Sequence, residues 1–538
     1  MPPLALLRCA TDTRFLVRIV RLWPPILALL AASVASPATA QAPLSQPEDA
    51  VPVPGGTLRL HVSTSWIRFD ERFAPDGRLA SLGADLSTDT LGVAQLPRLA
   101  PIEAGLRALA SDPQLRLSLG RLDVRSDARI AVTPISLEYG VTRRFSIGIE
   151  VPIVETRRVV QLRVNEDSSA LANVGFVPQV LRDGAVQQNR AVAEAFRSGA
   201  DSLGVLLAQC PANPGAAGCA SVNASPAEAA AARQLALSFA NAVGSLGLDA
   251  ASLLVAPRGG STLGNAIDAR RLAINQQLQQ FLGAGAGATT SIFNAPTPFS
   301  YLDLQGQRGS PGLLQSPLGG GLDSLRTTDR IGIGDVSVGA QFLVFDRFSH
   351  DSLPLPRLQS RLVLGAAIRF GTSQADSARN LVDIATGEGP GVEVHAAMDL
   401  ISGRIGGTIA ARYVKSFART VTAPLFGDPE APFPFPLFGE RPRTAGDVIG
   451  LDLTPRVLIT EWLALDGHYG FERTGAAMYG APDLSLVDPC VGCVTPAVVT
   501  TSGVTRTAQR VGLGFRYSTS DAYARGTARF PVEITFTH

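Results

Sequence analysis

Trp462-Leu-Ala-Leu-Asp-Gly-His-Tyr-Gly-Phe-Glu472 places Leu463, Leu465, Tyr469 and Phe471 on one side of an extended chain and Asp466, His468 and Glu472 on the other. Successive side chains of a β-strand point to opposite faces, so one apolar and one charged face describe a strand set between two media. The same grammar recurs at Val392 to Leu400, where Val392, Val394, Ala396, Met398 and Leu400 oppose Glu393, His395, Ala397 and Asp399. It recurs again at Gln359 to Phe370, with Arg361 and Arg369 on the polar side, and at Ile449 to Leu458, with Asp452 and Arg456 there. A soluble sandwich also alternates, because each of its strands has one face in a core and one in water. Alternation alone therefore leaves the medium open.

The amino-terminal sequence narrows the choice. Arg14, Arg18 and Arg21 precede an apolar run from Ile26 to Val34, and Ala38-Thr39-Ala40 supplies the small residues of a cleavage site. This reads as a signal peptide over 1–40 with cleavage after Ala40. The run follows Pro24 and Pro25 and falls short of the roughly 20 apolar residues of a spanning helix. No later stretch is long and apolar enough either, so a membrane-embedded mature chain must be a closed barrel, the other structure that satisfies its backbone groups in lipid. The formal net charge is +1, which argues against a nucleic-acid partner or an electrostatically held peripheral protein.

Strand patterning divides the chain. Residues 41–55, rich in Pro and Gln, read as a periplasmic lead-in. The first barrel strands with one long loop occupy 56–164. Leu58, Leu60, Val62 and Trp66 alternate with Arg59, His61, Ser63 and Ser65, and Val141-Thr-Arg-Arg144 is the turn of a hairpin carrying Glu138 on one arm and Glu150 on the other. From 165 to 330 the alternation gives way to an Ala-rich helical insert, with helices expected near 190–208, 225–243 and 265–282. Ser225-Pro-Ala-Glu228 caps the second of these. The insert reads as a cap above a barrel or a plug inside it, the alternative being a floppy outer loop with residual helix, since Gly283 to Thr290 and Gly309 to Gly321 are low in complexity. Strands resume over 331–538, beginning with Gly334 to Phe345, where Asp335 faces inward.

Eleven strands are readable, and single-chain bacterial barrels carry an even number, so the fold class is an antiparallel all-β transmembrane barrel of about 12 strands, with 10 to 14 allowed. The missing strand is sought at the edges of the insert or within 484–501. Short connections at 141–144, 402–404 and 460–461 alternate with long ones, the expected asymmetry between periplasmic turns and outer loops. Aromatic residues such as Trp66, Tyr139, Phe145, Tyr413, Trp462 and Tyr517 fall near strand ends, as interfacial girdles require.

The stretches Leu137-Glu-Tyr-Gly-Val-Thr-Arg-Arg-Phe-Ser-Ile-Gly-Ile-Glu-Val-Pro-Ile153 and Gly332-Ile-Gly-Asp-Val-Ser-Val-Gly-Ala-Gln-Phe342 resemble poorly characterised Gram-negative outer-membrane barrels. These include transporters grouped with the phenol-degradation-pathway outer-membrane proteins. The resemblance covers 130–160 and 330–538; it implies a barrel in the outer membrane and transport, and carries over no catalytic or ligand-binding residue. The insert departs from the compact members of that group.

No Gly-x-Ser-x-Gly elbow and no phosphate-binding Gly-rich loop appears, and neither an enzyme nor a cofactor or metal is expected. His395 and His468, the inward histidines a lipase-like pair would use, read as lumen residues bonded to carboxylates. Cys210 with Cys219, and Cys490 with Cys493, form two close pairs suited to local disulfides in an oxidising compartment, half a zinc site or a redox motif being the alternatives for the second. The inward faces supply the lumen candidates: His61, Glu138, Glu150, Asp335, Glu393, His395, Asp399, Asp452, Asp466, His468, Glu472 and Glu533, against Arg59, Arg361, Arg369, Arg412, Arg456, Arg510 and Arg516. Rings of one sign set ion selectivity, whereas mixed signs allow pairing across a narrow lumen. The expected function is a channel or transporter for small solutes with access restricted by the insert. The alternative is a structural or adhesive barrel that displays the insert as an interaction module. Outer-membrane lipid and small solutes are the expected partners, with no oligomeric state assigned.

Overall fold

The computed structural model describes residues 50–51, 53–74, 77–166, 172–246, 253–307, 310–316, 318–348, 355–425, 433, 437–481, 505–519 and 528–538. The expected signal peptide, most of the expected lead-in, Cys490, Cys493 and the segment 484–501 lie outside the described residues. In chain order the strands begin with β1 (Leu58–Val62), β2 (Ser65–Phe69), β3 (Glu71–Phe73), β4 (Leu79–Ser81), β5 (Leu122–Gly140), β6 (Phe145–Val164), β7 (Val174–Phe176) and β8 (Val255–Pro257). After the insert come β9 (Thr328–Ile333), β10 (Ser337–Asp346), β11 (Leu355–Arg369), β12 (Gly391–Gly403), β13 (Ile405–Ser416), β14 (Ala418–Pro424) and β15 (Phe438–Thr444). The last are β16 (Val448–Leu458), β17 (Leu463–Thr474), β18 (Met478–Tyr479), β19 (Arg506–Ser518) and β20 (Glu533–Thr537).

Thirteen of these strands form one curled antiparallel sheet. β1 and β2 share a position beside β5, and β9 and β10 share one beside β6, so the sheet has eleven positions running on through β11, β12, β13, β16, β17 and β19 to β20. These are the eleven segments whose alternation is readable in the sequence, one fewer than the expected twelve. Among the described residues no pairing joins β20 to β1, and the sheet is open along that seam.

The outer face is the one that meets lipid. On β6, Phe145, Ile147, Ile149 and Ile153 are exposed, and on β13 so are Ile405, Ile409 and Tyr413. Phe145 to Ile153 spans nine residues, the length a tilted strand needs to cross a bilayer. Beyond Ile153 the same face turns to Glu155, Arg157, Gln161 and Arg163, so the apolar band ends sharply there. Exposure of this many large apolar side chains on a continuous face marks a membrane surface. The described residues contain no helix long and apolar enough to cross.

The β5–β6 hairpin continues past that boundary for about ten residues per arm, roughly 35 Å at the usual strand rise. Its far end enters a core built with the helices Ala100–Ala110, Gln179–Gln209, Pro226–Ser245 and Thr262–Leu282. Leu122, Val124 and Val164 of the hairpin pack there with Phe196, Phe239, Leu278 and Val382. Phe196 and Phe239 meet edge to face at 5.1 Å. The Cys210–Cys219 disulfide closes the turn after the Gln179–Gln209 helix. This core shares no residue with the small apolar cluster inside the sheet, Ala50, Leu343, Val363, Ala397 and Ala410, so the helices stand above the apolar band and not within it. A three-stranded sheet of β14, β15 and β18 flanks them at the same end.

Candidate functional site

Period two puts the charges of the paired strands on the face opposite the exposed apolar residues. Strand register then decides which charges meet. Arg59 of β1 lies opposite Glu138 of β5 and bonds it at 2.6 Å. Arg361 of β11 bonds Asp399 of β12 at 2.9 Å, Arg456 of β16 bonds Asp466 of β17 at 2.9 Å, and Arg516 of β19 bonds Glu533 of β20 at 2.6 Å. Arg412 and Glu472 also pair, although the whole of β16 lies between their strands. The register explains how: Arg412, Gly450 and Glu472 form one row, and a Cβ on Gly450 would lie 2.5 Å from Arg412 Nε. The missing side chain is the passage by which the guanidinium reaches across. Arg510 approaches Glu472 from the other side at 3.7 Å, and His468 Nε2 lies 3.8 Å from Asp452.

A second glycine makes room in the next row. Gln341, Gly365, His395 and Arg412 are register neighbours, and a Cβ on Gly365 would collide with the His395 imidazole. His395 Nδ1 lies 3.5 Å from Glu393 Oε1, too long for a hydrogen bond, and both ring nitrogens lack a partner among the described residues. A cavity of about 20 Å³ opens beside this ring between Glu138, Ser146, Gly148, Gly339, Gln341 and Ala367, room for one water-sized group. Glu150 faces inward between Ser136 and Ser337, with Arg369 one strand further on beside Ser337. His61 lies on the inner side of β1 opposite Ser136.

Two chain segments close on this interior. At the end of the short turns, the last part of the predicted lead-in does not remain outside. Ala50 is buried among the inward side chains Leu343, Val363, Ala397 and Ala410, and its amide donates to Asp399 Oδ2 at 2.9 Å. Asp399 also accepts from Arg361 at 2.9 Å and from the Thr408 hydroxyl at 2.7 Å. Arg59 holds the segment a second time by donating to the Val51 carbonyl at 3.1 Å. The sequence named Asp399, Arg361 and Arg59 as lumen residues but missed what they hold, because a Pro-rich segment without alternation carries no signal of where it docks.

At the opposite end the connection from β11 to β12 folds inward. Asp335, expected to line the lumen, is spent on this connection: it accepts from the amides of Ser373 at 3.1 Å and Gly389 at 2.8 Å. Asp383 of the same connection pairs with Arg330 at 2.6 Å, and Ile384 packs on Ile130, Val132 and Val154 of β5 and β6. The described residues contain no group of His, Cys, Asp and Glu side chains fit to hold a metal ion.

No family model matches the chain, and no curated protein matches it. Among solved structures, the Pseudomonas putida toluene transporter TodX aligns over 86% of this chain and 70% of that one, at 10% identity and a TM-score of 0.22. A TodX deltaS2S3 mutant, a monoaromatic hydrocarbon channel, aligns over 86% and 69% at 12% identity with the same TM-score of 0.22. The ferric-catecholate import receptor Fiu of E. coli K12 aligns over 78% and 45% at 10% identity and a TM-score of 0.18. At these scores the fold rests on the strand registers and the apolar band described above.

Proposed function

We propose that the protein is an outer-membrane channel or transporter for small solutes, with its short turns on the periplasmic side and the helices on the outside. The observation that carries this reading is the docked segment at Ala50, bonded to Asp399 inside the sheet. A structural barrel gains its stability from packed side chains and has no use for a chain segment held in its interior by one carboxylate and one arginine, whereas a conduit that must stay closed at rest does. The paired charges point the same way. They leave no ring of one sign, which disfavours a selective ion pore and favours small solutes of low charge. The connection pinned by Asp335 and the helices above it restrict access from outside.

The test is solute flux in reconstituted liposomes. Removing residues 41–53 is expected to raise the swelling rate with small neutral solutes, and removing residues 165–330 is expected to raise it further. Absence of flux in all three forms would overturn the reading.

A second reading has its own observation: the helical insert packs with the outer half of the β5–β6 hairpin and the Ala100–Ala110 helix in a core apart from the sheet's interior, and it carries a disulfide. It would serve as a displayed interaction module. A variant lacking the insert that keeps every surface interaction of the intact protein would exclude this.

A further inference from the structure

Three arginines stand side by side on the outer side of the sheet, two outward rows beyond Ile153, where the apolar band ends. Arg68 of β2 is in register with Arg129 of β5, and Arg129 with Arg157 of β6. The row below them holds Trp66, Ala131, Glu155 and Ile331, and the apolar residues Ile153 and Ile333 lie one row lower still. All three arginines are exposed. Directly opposed residues on neighbouring strands bring their Cβ atoms to about 5 Å, and like charges at that distance destabilise the pair.

The acidic residues nearby do not relieve this. Asp127 is engaged by Arg68 at 2.6 Å. Asp329 of β9 follows Arg157 in the row, and Glu155 precedes it on β6, yet among the described residues neither the Arg129 nor the Arg157 side chain has an ion pair or hydrogen bond. Two unpaired guanidinium groups facing each other form a fork that a phosphate fits, since each can donate two parallel N–H bonds to phosphate oxygens. Their height selects the source of that phosphate. They sit in the second outward row past Ile153, where the apolar band ends, and one row above Trp66, a residue 66% exposed at the level where amphipathic rings meet headgroups.

We infer that Arg129 and Arg157, supported by Arg68, bind the phosphate of a phosphorylated lipid headgroup in the outer leaflet. The site rests on the membrane orientation given above and not on transport, because its side chains point away from the lumen. Flux and lipid binding therefore fail or succeed separately.

The experiment uses the full chain in detergent micelles doped with bisphosphorylated lipid A or with its dephosphorylated form, and reads the lipid-bound fraction by native mass spectrometry. The wild type is expected to retain the phosphorylated lipid at least tenfold better than R129Q/R157Q, and R129K/R157K to recover part of that retention. Inorganic phosphate at the same concentration is expected not to compete. Should R129Q/R157Q fail to assemble, R157Q alone, expected to lose threefold or more, carries the comparison. Equal retention by wild type and the glutamine variants, or equal retention of the two lipids by the wild type, would overturn the site; displacement by inorganic phosphate would overturn the lipid as its source.

Discussion

Asp399→Ala should release the segment docked inside the sheet at the end of the short turns. The carboxylate makes three bonds: to the Ala50 amide at 2.9 Å, to Arg361 at 2.9 Å and to Thr408 at 2.7 Å. A hydrogen bond to a charged acceptor contributes about 2 kcal/mol. Its loss should shift the balance between docked and released segment roughly thirtyfold, at 1.4 kcal/mol for each factor of ten. The Val51 carbonyl bond to Arg59 and the apolar seat of Ala50 remain, so release is partial. Removing the carboxylate also strands Arg361, whose side chain is 13% exposed, and the barrel itself should lose about 3 kcal/mol or more. Arg361→Ala separates the two effects, because it keeps the Ala50–Asp399 bond. Hydrogen exchange at the Ala50 amide, followed by mass spectrometry, reads the docking directly. Asp399→Ala should lower its protection by roughly thirtyfold and raise liposome swelling, while Arg361→Ala should leave protection within a few-fold of the wild type. Unchanged protection in Asp399→Ala would refute the docking.

Other consequences follow from the same interior. Gly450→Ala places a methyl 2.5 Å from Arg412 Nε and should break the reach to Glu472, costing about 1–3 kcal/mol in thermal or denaturant unfolding; in G450A/R412A the two costs should not add. Gly365→Ala should displace the His395 ring with a similar loss, and G365A/H395A should recover most of it, which a strained backbone at Gly365 would not permit. Cys210→Ser with Cys219→Ser opens a loop of sequence separation 9 and should lower the stability of the helical core by roughly 2.5 kcal/mol, read as faster proteolysis there with the heat-modifiable mobility of the sheet unchanged.

The sheet was legible because a two-faced medium writes itself into alternate residues. Leu463 to Thr474 shows this over its whole length, with Leu465, Tyr469 and Phe471 outside and Asp466, His468 and Glu472 inside. The rule fails where the medium changes. Past Thr133 on β5 and Ile153 on β6 both faces become polar or mixed, and the outer half of that hairpin is not readable as strand from a lipid pattern. β14 and β15 carry no such pattern for the same reason: they are short, contain Pro424 and Pro442, and pair outside the main sheet.

The site shows a similar division. Which strand charges share the inner face follows from period two alone. Which of them pair depends on register and on gaps between side chains. Arg412 finds Glu472 only because Gly450 leaves the way open, and Asp335 is consumed by a connection whose path no local pattern announces. The docking of Ala50 is non-local in the extreme, 349 residues from its acceptor, and no spacing rule could have found it.

The central claim is that this sheet crosses a bilayer with its two faces in different media. Single spin labels at successive positions from Ile405 to Ser416, in the protein reconstituted into liposomes, test it most directly through collisions with oxygen and with a water-soluble nickel chelate. Oxygen accessibility should peak at 405, 409, 411 and 413 and fall at 406, 408, 410 and 412, with the chelate excluded from the outward set. Equal accessibility to the chelate at odd and even positions would mean that both faces meet water, and would contradict the membrane-spanning barrel.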